Sequence, residues 1–365
     1  IKNTVSAISP ARLAALSRLR APRFATDPSR LEVAALEKRT SGRRDAALAE
    51  RLVRGVLRRV SLLDALLERP GHYNPQRTPH VLRWILRLAA YETMFQAGTP
   101  DYAIGEQAVA LARHVAGERA ARFVNAMARR LLPTLSASPE ALAAAPFVAG
   151  LPPEKRWSVP RPILDHLAEG YGEQALAAIL PPLSENEAPL WLRVNTLKTA
   201  PDAAARALAE EGVATEAATP LHEALRWTGG ERLPWQTEAW RRGELTVQDV
   251  GSMLAVELFD ARSNQSVLDA CAAPGGKTGH LWQRMQGRGR LVALEIDPRR
   301  RAELARALER LFGAKHSIEL PEAASLEALP AEARFDRVLL DVPCLALGLI
   351  GRHPEIRWDR RLRHL

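Results

Sequence analysis

The chain has 365 residues, 47% of them hydrophobic and 25% charged, which suits two or three domains with real cores and argues against a disordered chain. No apolar run approaches the roughly 18–20 residues that span a bilayer, and the opening IKNTVSAISP lacks the charged-then-apolar order of a secretory signal, so a cytoplasmic protein with no membrane partner is expected. Two cysteines, Cys271 and Cys344, exclude a disulfide framework and a cysteine zinc site, and no metal is expected.

The front of the chain is its basic end. Residues 1–150 carry 23 basic and 12 acidic side chains, whereas residues 151–365 carry 28 and 30. Such asymmetry suits a polyanion, because each Lys or Arg set on a phosphate releases counterions. Leu48, Leu52, Val56, Leu63 and Leu67 recur at three-to-four spacing, as do Leu82, Ile85, Leu86 and Leu88, so residues 1–145 read as an all-α domain. Pro70, Gly71, Asn74, Pro75 and Pro79 separate two helices, and Gly98 and Pro100 separate the next two. Arg54, Arg58 and Arg59 share one helix face, and Arg122, Arg129 and Arg130 another; each face is either solvated or in contact with nucleic acid.

An alanine-rich run into Pro146 reads as a linker. Beyond it the spacing predicts a helix near 162–180, a strand over 190–197, a helix over 202–211, a strand at 245–247 and a helix over 252–259. From Ser266 strands and helices alternate, with strands at 267–270, 291–296, weakly at 316–320, and at 337–341. That alternation implies a parallel sheet with helices on both faces.

The chemistry concentrates at the carboxyl ends of those strands. In VLDACAAPGGKT (267–278) a buried strand runs into a glycine turn and a helix; Gly275 and Gly276 let a ligand approach the backbone, the helix-start amides favour an anionic group, and Lys277 adds a charge. The spacing matches neither the dinucleotide G-x-G-x-x-G nor the phosphate loop. Glu295 closes the next strand, where a carboxylate accepts both hydroxyls of a ribose. RVLLDVPC (337–344) is read as a buried strand delivering Asp341 and Cys344 to the same edge. A thiol beside a carboxylate there suits methylation of cytosine C5, which becomes nucleophilic once a thiolate adds to C6. The alternative for either cysteine is a small side chain packing the sheet, which suits Cys271 as part of the turn's wall.

At these residues the sequence resembles a family. CAAPGGKT (271–278), VALEID (292–297), and LLDVPC followed by GLIGRHPEIRW (348–358) look like motifs of the ribosomal RNA 5-methylcytosine methyltransferases of the RsmB/Sun/Fmu type. LWLRVNTLK (190–198) and LTVQDVGSMLA (245–255) are similar to that family's middle segment, and LAERLVRGVLRR (48–59), LRLAAYETMF (86–95) and RFVNAMARRLL (122–132) to its NusB-like domain. The resemblance implies an all-α NusB-like RNA-binding domain over 1–145, a small α+β RNA-contacting module over 154–245, and a Rossmann-like α/β methyltransferase domain over 246–365 with an incomplete parallel sheet. It implies S-adenosyl-L-methionine as cofactor, held by Cys271, Ala272, Ala273, Pro274, Gly275, Gly276 and Lys277, with Glu295 on the ribose, Glu322 toward the adenine and Asp341 between methyl donor and base. The expected partner is small-subunit ribosomal RNA, bound by a monomer.

Two departures accompany the resemblance. The family's run of Ser, a small residue and paired Arg after the Pro-Cys dipeptide is here LALGLIGR (345–352), expected to alter the mouth of the site. The family nucleophile lies in a Thr-Cys motif after a fifth strand, and these 365 residues contain none. Cys344 is then a product-release group or a substitute nucleophile, and a longer natural chain is expected. The rival readings are a non-catalytic RNA-binding or assembly protein, and a DNA cytosine-5 methyltransferase using Cys344, which the absence of Phe-x-Gly-x-Gly disfavours.

Overall fold

The computed structural model describes residues 8–20, 42–69, 73–96, 98–135, 145–184, 189–218, 220–322, 325–344 and 346–359. The breakers Pro70 and Gly71, the alanine-rich run before Ala145, Ala323 and Ala324 beside Glu322, and Leu345 after the Pro-Cys dipeptide lie outside the described residues. The chain divides into two compact units, residues 1–188 with 345–365, and residues 189–344.

The first unit is helical: α1 (Pro10–Arg20), α2 (Arg43–Arg58), α3 (Val60–Glu68), α4 (His80–Phe95), α5 (Asp101–Leu135), two single turns, α6 (Arg161–Tyr171) and α7 (Glu173–Ser184). Of the apolar positions read from the spacing, Leu52, Val56, Leu63, Leu67, Leu82, Ile85, Leu86 and Leu88 are buried and Leu48 half-buried, each buried one contributing roughly 1.5–3 kcal/mol of transfer free energy. Gly55 lets α2 and α4 touch, since a Cβ there would lie 2.0 Å from the Tyr91 ring. Where α4 must bury charge it buries pairs: Arg87 with Asp64 at 2.6 Å and Glu92 with Arg12. The turn read at Asn74 forms as expected, its side-chain oxygen accepting the amides of Gln76 and Arg77. Two breaks escaped the periodicity. Gly117, at φ +79°, interrupts α5, and Gly172, at φ +82°, divides the single helix expected over 162–180 into α6 and α7.

Residues 346–359 belong to this unit. Ile350 and Ile356 share a buried cluster with Val159, Ile163, Leu164 and Leu180, and Trp358 donates its indole N–H to the carbonyl of Leu57. Arg357, 1% exposed, donates to the carbonyls of Arg58, Trp157, Ser158 and Leu183 and to the Ser184 hydroxyl. The basic face of α2 is therefore neither a solvated face nor free for RNA. Arg58, 3% exposed, donates to Gly351 O, Arg54 pairs with Glu50 and donates to Arg352 O, and Arg59 lies 4.3 Å over the Phe95 ring.

The second unit contains two sheets. Four antiparallel strands, β1 (Trp191–Val194), β2 (Val213–Ala217), β3 (Ala224–Gly230) and β4 (Leu245–Val247), run in the order β2-β3-β1-β4, with α8 (Pro201–Glu210) between β1 and β2. β2 and β3 were not expected: β2, VATEA, buries only Val213 and so carries no apolar alternation. After α9 (Val250–Phe259) comes a parallel sheet ordered β6-β5-β7, built from β5 (Ser266–Asp269), β6 (Arg290–Ala293) and β7 (Arg337–Leu339), with α10 (Gly276–Arg284) and α11 (Pro298–Phe312) as crossovers. The weak strand expected over 316–320 reduces to one parallel bridge, Glu319 beside Val292.

Among the described residues of this unit, helices pack on one face of the parallel sheet. Val267, Leu291 and Ala293 pack with Val256, Leu281, Leu304 and Leu308 from α9, α10 and α11. On the opposite face Leu268, Val292 and Leu294 pack with Ala270, Leu329 and Phe335, beside the 3-10 turn Leu326–Ala328. β7 also departs from expectation. It pairs with β5 alone, so Val338 is 47% and Leu340 60% exposed rather than buried.

Candidate active site

The site begins where β5 ends. Asp269 is 1% exposed, and its carboxylate accepts the Thr278 hydroxyl at 2.7 Å, tying the strand end to the first turn of α10. Burial pushes this carboxyl up to about 6, against the Thr278 hydroxyl and the Cys271 amide, which favour the charge. The intervening turn is fastened to its neighbours: the Ala272 amide donates to Leu294 O on the β6 side, and the Gly275 amide closes back on Ala272 O. Gly275 caps α10 at φ +102°, a conformation that favours glycine, and a Cβ there would press to 3.0 Å from Leu304.

Gly276 is different. Its φ is unexceptional and a Cβ built on it meets nothing within 4 Å. The protein's own packing therefore does not demand a glycine at this position. Open space against the backbone of a helix start is what a closely approaching anionic ligand needs, since the first amides of a helix lack partners within it. A carboxylate-bearing cofactor such as S-adenosyl-L-methionine fits this cradle.

Glu295 follows β6 and is 5% exposed; its carboxylate accepts the Asp297 amide at 3.0 Å, and Arg300 stands 3.5 Å from its other oxygen. Arg300 also donates to Ala273 O at 2.8 Å, so one guanidinium joins the glycine turn to the acidic strand end. The sequence reading missed Arg300 and also Ile296, which is 77% exposed beside the buried Glu295. An apolar side chain left in water next to a polar anchor is the available signal for a ligand with both a polar and an apolar face. Glu322, three residues beyond the bridge at Glu319, is exposed, with its backbone carbonyl accepting from Arg301. Nothing links its side chain to the turn.

Asp341 does reach the turn. Its carboxylate accepts from Lys277 Nζ at 2.6 Å, so the charge expected on Lys277 is matched within the protein. Cys271, half-buried, has its thiol pushed up by burial and then by the carboxylates of Asp269, Glu295 and Asp341, which favours the protonated form. Cys344 is exposed three residues after Asp341. The run following it supplies apolar side chains to the helical unit, Ile350 buried and Leu347 packed alongside.

Comparison with known proteins identifies the domains that carry these residues. The 16S rRNA methyltransferase RsmB/F family profile matches residues 256–365, the NusB family residues 9–132, and the ferredoxin-like domain of RsmF/B-like methyltransferases residues 159–230. The ribosomal RNA small subunit methyltransferase B of Citrobacter koseri is 30% identical over 332 residues, which span 88% of this chain and 72% of that protein. The probable ribosomal RNA small subunit methyltransferase B of a Synechocystis species is 29% identical over 324 residues, 89% of this chain and 72% of its own length. The fold matches the crystal structure of PH0851 with a TM-score of 0.65 at 20% identity, covering 98% of this chain and 80% of that one. A helical NusB domain, a ferredoxin-like module and a glycine turn with an acidic strand end thus occur in one chain, which belongs to the ribosomal RNA small subunit methyltransferase B family.

Proposed function

We propose that this protein transfers the methyl group of S-adenosyl-L-methionine to C5 of a cytosine in small-subunit ribosomal RNA, acting as a cytoplasmic monomer. The observation that carries the reading is the open cradle at Gly276 flanked by Lys277, Asp341 and the buried Glu295. When bound, the cofactor supplies an electrophilic methyl group. The residues of this chain do the rest. The backbone of residues 271–277 would hold the amino-acid end, with the first amides of α10 available to its carboxylate. Glu295 would accept the ribose hydroxyls, Ile296 would cover an apolar ring face, and Glu322, exposed beyond the bridge at Glu319, would serve the adenine.

Asp341 is the residue that would stand between methyl donor and base. Its ion pair with Lys277 ties it to the turn, where its carboxylate would face the base ring. Cys344, the exposed thiol on the same strand extension, serves in product release or as a substitute nucleophile at C6. A cytosine stacked in an RNA stem presents neither C5 nor C6 fully, so the target base leaves its stack before reaction.

The test is mass analysis of nucleosides from unmodified small-subunit ribosomal RNA incubated with this chain and S-adenosyl-L-methionine. Appearance of 5-methylcytosine is expected, and its loss in a Cys344→Ala variant would assign the nucleophile to that thiol. Cofactor binding with no methylated product would turn the assignment toward a binding or assembly protein.

A further inference from the structure

Three side chains of the antiparallel module reach into the methyltransferase fold through buried polar contacts. Arg193 and Asn195 lie two residues apart on β1 and its exit, hence on one face. Arg193, 0% exposed, donates to the carbonyl of Gly276 at 2.7 Å and to the Gln248 side-chain oxygen. Asn195, 1% exposed, donates at 3.0 Å to Gly243 O and to Leu311 O near the end of α11. Glu223, just before β3, accepts from His280 of α10 at 2.9 Å, with both groups buried. Arg310 of α11 reaches the other way, donating at 2.8 Å to Trp240 O and Leu245 O.

The Arg193 contact is unusual in its target. A buried guanidinium is costly to desolvate and is normally matched by a carboxylate. Here it rests on a neutral backbone carbonyl, that of the first residue of the cofactor helix, while its Nε and Nη2 find no partner. Its neighbour Gly279 is also constrained, since a Cβ there would lie 3.2 Å from the guanidinium. Burial pushes the group down to about 9, and Glu223 is the carboxylate that favours its charge. Gly276 is the residue whose far side faces the open cradle.

We infer that Arg193 is a positioning residue for the cofactor: by holding the Gly276 carbonyl from behind, it fixes the peptide groups that a bound S-adenosyl-L-methionine meets. The ferredoxin-like module is then part of the cofactor site as well as a surface for RNA. This rests on the cofactor reading of the glycine turn. It adds that the methyltransferase fold does not present its turn correctly unless β1 is docked.

The experiment is calorimetric titration of the full chain with S-adenosylhomocysteine, run in parallel with RNA binding. Arg193→Met is expected to weaken cofactor affinity at least tenfold, while Arg193→Lys, which restores a charged donor, stays within about threefold of wild type. RNA affinity is expected to stay within twofold for both, and Arg226→Met, an exposed control on β3, to leave cofactor affinity unchanged. Cofactor affinity within threefold of wild type for Arg193→Met, or equal losses for Met and Lys, would overturn the assignment. If Arg193→Met does not fold, hydrogen exchange in the milder neutral variant Arg193→Gln decides. Faster exchange confined to amides 278–281 supports it, and a uniform or absent change refutes it. Failure of the wild-type chain to bind S-adenosylhomocysteine would instead overturn the cofactor turn itself.

Discussion

Gly275 and Gly276 are adjacent, but different causes require them. Gly275 holds a left-handed conformation against Leu304, so Gly275→Ala is expected to cost about 1–2 kcal/mol of stability whatever is bound. Gly276 sits in a helical turn facing open space, so Gly276→Ala is expected to leave thermal stability unchanged or raised, alanine being the better helix former by about 1 kcal/mol. Cofactor affinity is nevertheless expected to fall, and Gly276→Val to abolish it. Calorimetry beside thermal unfolding separates the two glycines, and unaltered affinity in Gly276→Val would remove the turn from the binding site. The doublet is plain in the sequence, but which glycine serves the chain and which the ligand depends on φ and on what surrounds each Cβ.

Two buried titrating groups near the turn pull stability in opposite directions. Asp269 rises from its ordinary 3.8 to about 6, so its contribution is present at low pH and is lost as pH rises between those values. His280 falls from 6.5 to about 4 because burial, with the charges of Arg193 and Arg284, outweighs the Glu223 carboxylate that favours its protonated form, so its contribution is present above 6.5 and is lost as pH falls toward 4. Each window spans on the order of 3 kcal/mol as an upper bound. Between pH 4 and 6 the two offset each other. Relative to wild type, Asp269→Asn is expected to make stability climb with pH over this range and His280→Asn to make it decline, as read from urea midpoints at pH 4.5 and 6. Parallel profiles for all three proteins would show that neither group titrates in its window.

At the scale of elements, the segment after Cys344 shows how far a motif can act from where it was read. GLIGRHPEIRW was legible as a family signature beside the Pro-Cys dipeptide, yet its Arg357 and isoleucines are consumed by residues of the helical unit far earlier in the chain. Arg357→Met strips several buried oxygens of one shared donor, and a loss of about 3 kcal/mol from the helical unit is expected in chemical denaturation. Faster hydrogen exchange across 346–359 should accompany it. A variant as stable as the parent would mean that the apolar packing of Ile350 and Ile356 suffices. The same logic removes Arg58 from any RNA face. Helical periodicity placed it on α2, but a donor's partner can lie anywhere in the chain, and here it is Gly351.

For the whole molecule, the charge imbalance leaves the second stretch of α5 as a basic surface among the described residues. Arg119, Arg122, Arg129 and Arg130 are exposed along it with Phe123 among them, whereas Arg54 and Arg58 of α2 are engaged internally. Reversing both Arg129 and Arg130 to Glu is expected to weaken ribosomal RNA binding and to lower the slope of log affinity against log salt by about 1–2, roughly one for each phosphate left without its arginine. Filter binding at several salt concentrations checks it, and an unchanged slope would leave α5 as a solvated face.

The sequence by itself determined the helical front, the strands and helices of the parallel sheet on either side of the cofactor turn, the glycine turn with its acidic strand end, and the family, because periodic apolar burial and ligand-approaching backbone are local requirements written in contiguous residues. It also placed Asp341 at the strand end where Lys277 meets it. Only the tertiary structure decided that β7 is an exposed edge, that helices cover one sheet face, that Arg300 and Arg193 brace the turn from opposite sides, and that the run after Cys344 packs on helices of the first unit. Those features depend on which distant backbone carbonyls and apolar surfaces are satisfied by which side chains. Such pairing is set by the packing of the folded chain and leaves no spacing pattern in the sequence.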